Sequence, residues 1–200
     1  MTIQELVIKI KVLENELALE LQKKQEEFYY TIKGKKIYFE ESIRRQHRAL
    51  VINIRLYILN ASILSILTAP IIWSCIIPAL IMDIFVTSYQ ALCFRVYGIP
   101  RVDRDDYIII DHNKLAYLNI IEKVNCMYCS YFNGLMGYVS EIAARSEQYW
   151  CPIKHARKVA FIHSRYKHFL EYGDALAYKE KLSDIRKDFD DLERSSQERP

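Results

Sequence analysis

Apolar residues follow three different patterns along this chain, and each pattern predicts a different element. In residues 3–25, Ile3, Leu6, Ile10, Leu13 and Leu17 recur at three- and four-residue spacing with Glu and Lys between them. That period is helical. It predicts an amphipathic helix that packs on its own domain or pairs with a second copy as a short coiled coil, although the stripe barely spans three heptads. The second pattern is β-prone: Phe28 to Ile32 and Ile37 to Phe39 flank the turn Lys33-Gly34-Lys35-Lys36, a hairpin signature that needs a surface to lean on.

The third pattern is a continuous apolar block. Between Ala49 and Phe94 only Arg55 and Asp83 are charged, and Leu56 to Met82 is a run of 27 residues without a charge. About 20 apolar residues cross the hydrocarbon core of a bilayer. The whole block is long enough for two crossings, with a turn at Thr68-Ala69-Pro70, because proline disfavours helix in the residue before it and suits the first turn of a new one. In such a hairpin Arg55 and Asp83 lie at similar depth, about 20 Å from the turn, and neutralise one another. A single crossing is the alternative topology, and a buried soluble hairpin a third.

Past Tyr97-Gly98-Ile99-Pro100 the pattern turns polar again. Arg101 to Asp106 reads as a loop and Tyr107 to Ile110 as a short extended run. Asp111 serves as an N-cap to helices expected at 112–127, 135–149, 153–171 and 174–194, with Gly173-Asp174 as a stop and fresh cap. The expected fold is mainly α: an apolar helical hairpin in the membrane plus a small helical bundle, with a short N-terminal β-hairpin. By segments, 1–48 holds the amphipathic helix and β-hairpin, 49–96 the membrane hairpin, 97–194 a helical Cys/His domain, and 195–200 a disordered tail.

Composition sharpens the picture in two places. The net charge of +3 is too small to indicate nucleic acid, so none is expected as a partner. The basic residues that do cluster, Lys33, Lys35, Lys36, Arg44, Arg45 and Arg48, precede the apolar block. They suit a cytoplasmic flank drawn to anionic lipid, or a merely solvated hairpin and helix start. The first twenty residues carry acids and form no signal peptide, and five Cys without an export signal point to reduced thiols rather than a disulfide framework.

Those thiols supply the candidate chemistry. Cys126-Met127-Tyr128-Cys129 is a C-x2-C pair and Cys151-Pro152-Ile153-Lys154-His155 a C-x3-H. Three thiolates and an imidazole suit zinc or iron, and an iron–sulfur cluster uses the same residue types. The 21-residue gap is the obstacle. Leu135, Met136, Val139, Ile142 and Ala143 form a helical apolar face, with Glu141 and Arg145 paired outside it. One unbroken helix through the gap would hold the two motifs about 30 Å apart. Either Asn133-Gly134 and Gly137 break the segment, or the motifs are separate sites, or they meet between subunits. If separate, a returning helix could bring His163 or His168 toward Cys126. Cys126 and Cys129 are also readable as a redox pair or as packed thiols, His155, His163 and His168 as surface residues, and Cys75 and Cys93 as core. Glu122, Glu141 and Glu147 are available for acid/base work but are expected to face solvent.

Tyr97-Gly98-Ile99-Pro100, Asp106-Tyr107 through Leu118-Asn119, Asn125 to Cys129, and Glu147-Gln148-Tyr149-Trp150-Cys151-Pro152-Ile153-Lys154-His155-Ala156 together resemble a family of bacterial inner-membrane proteins without an assigned activity. The resemblance covers roughly residues 65 to 180. It implies an inner-membrane setting and retention of both thiol motifs, and implies no reaction. The expectation from sequence is a membrane-anchored zinc or iron protein with ligands Cys126, Cys129, Cys151 and His155 in a cytoplasmic domain, partnered by lipid and self-associating through residues 3–25. The alternatives are a thiol–disulfide redox protein using Cys126 and Cys129, and a structural or assembly protein without metal.

Overall fold

The computed structural model describes residues 3–192, and side chains from Val12 onward together with Lys9. The tail 195–200 and the side chains of Ile3, Leu6 and Ile10 lie outside the described residues. The fold is mainly helical with one two-stranded antiparallel hairpin, as the patterns require. It divides into two compact units, one made of residues up to Ala61 with Asp111–Met127, the other of Ser62–Ile110 with the chain from Tyr128 onward. The segment expected as one Cys/His domain thus supplies residues to both.

In the first unit, α1 (Ile3–Glu27) carries exposed i,i+3 ion pairs Lys23–Glu20 and Lys24–Glu27. Leu13 and Leu17 of its stripe are 56% and 60% exposed. β1 (Tyr30–Lys33) and β2 (Lys36–Phe39) pair in the register Tyr30↔Phe39 to Lys33↔Lys36. The tight turn between them needs the left-handed backbone of Gly34, at φ 60°. The surface the hairpin leans on is a file of rings: Tyr30 to Phe39 at 5.6 Å, Phe39 to His47 at 5.5 Å, and His47 to Tyr117 at 5.2 Å. This file ties the hairpin to α2 (Glu41–Ala49) and to the later segment. α3 (Ile54–Asn60) follows, capped by Asn53, whose side chain accepts from the Arg55 amide.

The helix expected from residue 112 starts later. His112–Lys114 is a single 3-10 turn, and the cap is Asn119 rather than Asp111. Asn119 Oδ1 accepts from the Glu122 amide at 3.0 Å while Glu122 Oε2 accepts from the Asn119 amide at 2.9 Å, a reciprocal capping box. From there α7 (Ile120–Trp150) runs 31 residues without interruption.

The second unit is built on a 35-residue apolar helix, Ile63–Tyr97. It comprises α4 (Ile63–Ser74), α5 (Ile76–Tyr89), a π turn at Gln90–Phe94, and α6 (Arg95–Tyr97). The turn expected at Thr68-Ala69-Pro70 does not occur: α4 continues through Pro70. Apolar helices tolerate proline where nearby hydroxyls rearrange the local bonding, and Thr68 Oγ1 donates back to Leu64 O at 2.9 Å. The helix yields instead at Cys75, four residues after Ile71 and three before Pro78, whose missing N–H leaves the Ser74 carbonyl without its i+4 donor. Asp83, expected to face Arg55, is held by Arg104.

Against α5 and the π turn pack Ile99, Val102 and the α7 residues Leu135, Tyr138 and Ile142, with Phe94 fully buried. Gly134 and Gly137 serve this packing and do not break α7. A Cβ on Gly134 would stand 2.5 Å from the Tyr107 carbonyl oxygen and 2.9 Å from Ile108 Cα. Residues 153–171 do not form the expected α-helix; they hold a single 3-10 turn at Tyr166–His168. Leu170 N–H donates to Pro152 O at 2.8 Å and Lys154 N–H to Leu170 O at 2.7 Å, a bridge that engages backbone groups a helix would need. α8 (Ala175–Ile185) opens where expected, at Asp174, whose side chain accepts from Ala177 N–H at 2.9 Å. It stops nine residues short of the expected end.

The Gly134 contact is with backbone, which cannot swing aside. Gly134→Ala is therefore expected to lower stability, its overpacking cost of about 1–3 kcal/mol outweighing the ~1 kcal/mol that alanine contributes to a helix. Thermal unfolding of the purified variant checks the sign.

Candidate functional site

The thiol motifs do not converge within one chain. Cys126 and Cys129 stand one turn apart on α7, half-buried and exposed respectively. The helix then continues to Trp150, so Cys129 and the helix end are about 30 Å apart at 1.5 Å per residue. Cys151 leaves the helix exposed, and exposed His155 donates its amide to the Tyr166 hydroxyl at 3.0 Å. Among the described residues no group of three or more His, Cys, Asp or Glu is arranged to hold a metal ion. Cys75, expected as core, is exposed on the apolar helix, and Cys93 is half-buried.

What α7 brings together instead is a set of buried polar side chains. Glu141 and Arg145 do pair at i,i+4, at 2.8 Å, but inside the fold and not outside its apolar face. Arg145 Nη1 donates to the carbonyls of Pro100 and Arg101 at 2.9 and 3.0 Å, and Ser164 Oγ donates to Glu141 Oε2 at 2.6 Å. One turn further on, Gln148 Nε2 donates to Ile185 O and Asp188 O at 2.9 and 2.7 Å. Its Oε1 accepts from Arg165 Nε at 2.5 Å. Arg165, 1% exposed, grips both Asp191 oxygens at 2.9 and 2.8 Å and the Asp188 carbonyl at 2.8 Å. Its guanidinium carbon lies 5.4 Å over the Phe189 ring.

A similar arrangement serves the apolar helix. Asp83 accepts from Arg104 Nη2 at 2.5 Å, from the Tyr131 hydroxyl at 2.8 Å and from Thr87 at 3.2 Å. Gln90, at the π turn, accepts from Val102 N–H at 2.7 Å and donates to Tyr138 Oη at 3.0 Å. Of the carboxylates considered for acid/base work, Glu122 is a helix cap and Glu141 is committed to Arg145 and Ser164. Glu147 lies 3.2 Å from His163 Nε2. His163 Nδ1 accepts from Arg165 N–H at 3.2 Å, which leaves the ring proton on Nε2, facing Glu147. His168 pairs with Asp188 at 3.1 Å. Neither histidine is directed to a thiol by any of these contacts.

Sequence reasoning missed Gln90, Arg104, Gln148 and Arg165. Asn119 and Glu122 form an N-x-x-E word that the capping-box rule reads directly. Nothing local marks the other four, because their partners lie 12 to 48 residues away.

Comparison of the chain with family models, with curated proteins and with solved structures returns no match. Its functional reading rests on its own residues.

Burial alone would raise the Asp191 carboxyl, but the hydrogen bonds and charge of Arg165, helped by His168 and Lys167, hold it below the usual carboxylate range. A depressed folded value means the stabilisation is complete above the unfolded value of about 4 and disappears as pH falls through the folded one. Acid unfolding of Asp191→Asn should accordingly be less steep than that of the parent below about pH 4. At neutral pH, Arg165→Met should lose about 3 kcal/mol by leaving Gln148 and the Asp188 carbonyl without their donor. Chemical denaturation of the two proteins side by side measures it.

Proposed function

We propose that this protein is a membrane-anchored helical binding protein whose apolar helix Ile63–Tyr97 enters the lipid. The observation that carries the reading is the outward face of that helix. Ile63, Leu64, Leu67 and Ile71 are 76%, 72%, 67% and 69% exposed, and only 6% of its most apolar window is buried. Apolar surface of this extent is not left to water by a soluble chain, and a core helix of a soluble protein would be mostly covered. Ile63 to Met82 contains no charge over 20 residues, a length that matches the hydrocarbon core. A bacterial inner membrane with a cytoplasmic polar domain is the setting that the resemblance and the basic flank support. The exposure of Leu13 and Leu17 favours pairing of α1 with a second copy over packing on its own unit.

A metal site between two copies of the chain is the second proposal. Cys126 and Cys129 lie on adjacent turns, and side chains at i and i+3 are neighbours on a helix surface. The pair can bite one zinc or iron ion, with the same pair of a second copy completing a tetrahedral set. Cys151 and His155 are then a separate pair.

For the anchor, the protein should sediment with membranes and resist alkaline carbonate extraction. Ile71→Arg should reduce insertion by about 3 kcal/mol, the cost of a cation near mid-membrane. Monodisperse protein in detergent-free buffer, with no membrane fraction in cells, would remove the reading. For the metal, elemental analysis should find zinc or iron that a Cys126→Ser variant loses and a Cys151→Ser variant keeps. Metal-free, normally folded parent protein excludes this second reading and leaves the anchor intact.

A further inference from the structure

We infer that the first unit carries a binding site for a phosphate-bearing organic anion, in a cavity of about 590 Å³ where Arg44, Arg48, Lys114 and Lys123 converge. The volume falls within the roughly 300–1,000 Å³ of small-molecule pockets. β2, α2 and the segment leading into α7 form its wall, and no carboxylate lines it. Four cations facing one cavity repel one another, and Arg44 and Arg48, one turn apart on α2, form a like-charge pair that weakens the helix. An anion held among them would relieve this repulsion.

Glu40, four residues before Arg44, lines a different pocket, with Tyr29 and Tyr38. Glu41 pairs with Arg45 at 2.9 Å, Glu122 closes the cap of α7, and Asp111 lies 3.6 Å from His112. Among the described residues no ion pair or side-chain hydrogen bond engages Arg44, Arg48, Lys114 or Lys123. Two guanidinium forks match the paired oxygens of a phosphate, and two ammonium groups add point charge, so the set suits a dianion or polyanion better than a monocarboxylate. Ile37, Phe39 and Ala116 give the same cavity an apolar wall for the organic part of the ligand. A soluble phosphate ester and the headgroup of an anionic phospholipid share this chemistry. The site lies wholly within one unit and does not depend on how the apolar helix is accommodated.

The test uses the full-length protein in phosphatidylcholine nanodiscs and reads the acylation rate of individual lysines by mass spectrometry. Pyrophosphate is added in one arm, and phosphatidic acid is incorporated into the nanodiscs in the other. We expect Lys114 and Lys123 to be protected in at least one arm while Lys179 and Lys181 of α8 stay reactive. Protection by pyrophosphate alone identifies a soluble ligand, and protection by phosphatidic acid alone a lipid headgroup. An Arg44→Gln/Arg48→Gln variant should bind the protecting anion more weakly by about fivefold for each charge removed. An Arg157→Gln/Lys158→Gln control, of equal charge change, should bind as the parent does. No protection in either arm, or equal protection of all four lysines, overturns the proposal, and the footprint on the parent decides this even if the arginine variant fails to fold.

Discussion

A buried polar group must find a partner, and this requirement organises the second unit more than its modest apolar core does. α7 turns Glu141, Arg145 and Gln148 inward, at 8%, 8% and 0% exposure, and each is matched by a segment that would otherwise have no reason to be there. Arg145 fixes the carbonyls after the apolar helix, Glu141 collects Ser164, and Gln148 collects the end of α8 together with Arg165. An unmatched polar group here would cost about 1–3 kcal/mol, more for a charge, so the chain around α7 is specified by hydrogen bonds as much as by volume. That is why 153–171, rich in residues that could form a helix, wraps as an irregular strap with Arg165 turned inward.

The same requirement explains how an apolar helix joins a polar domain. Asp83 and Gln90 face the domain and are satisfied there, while Ile84, Phe85 and Leu92 of the same helix remain outward and apolar. The π turn at Gln90–Phe94 adds a residue to the helical turn and so presents both Gln90 and Phe94 to the core, at 1% and 0% exposure. The glycines of α7 contribute from the other side, by letting the Tyr107 backbone lie against the helix.

The chemistry of the molecule is correspondingly divided. Its buried acids and bases hold structure, whereas Cys129, Cys151 and the cations Arg44, Arg48, Lys114 and Lys123, without side-chain partners among the described residues, are open to a ligand. On the reading proposed above, the apolar helix, the thiol pair and the cationic cavity are the parts of the molecule available for binding.

The sequence by itself determined whatever depends on neighbours along the chain. The apolar block, the N-terminal helix, the β-hairpin about Gly34, the start of α8 at Asp174 and the i,i+4 pairing of Glu141 with Arg145 are all set by local period, turn chemistry and capping. Only the tertiary structure decided which polar residues are interior. Glu141 and Arg145 look solvated from their spacing yet are buried, because carbonyls 44 and 45 residues away accept from Arg145 and a serine 23 residues away donates to Glu141. It also decided that Pro70 lies within a helix rather than at a turn, and that Asp83 answers to Arg104. Both depend on energies between distant segments. The candidate metal ligands were legible as residue types, but their separation was set by the continuity of α7, which its two glycines do not break and against which they admit Tyr107.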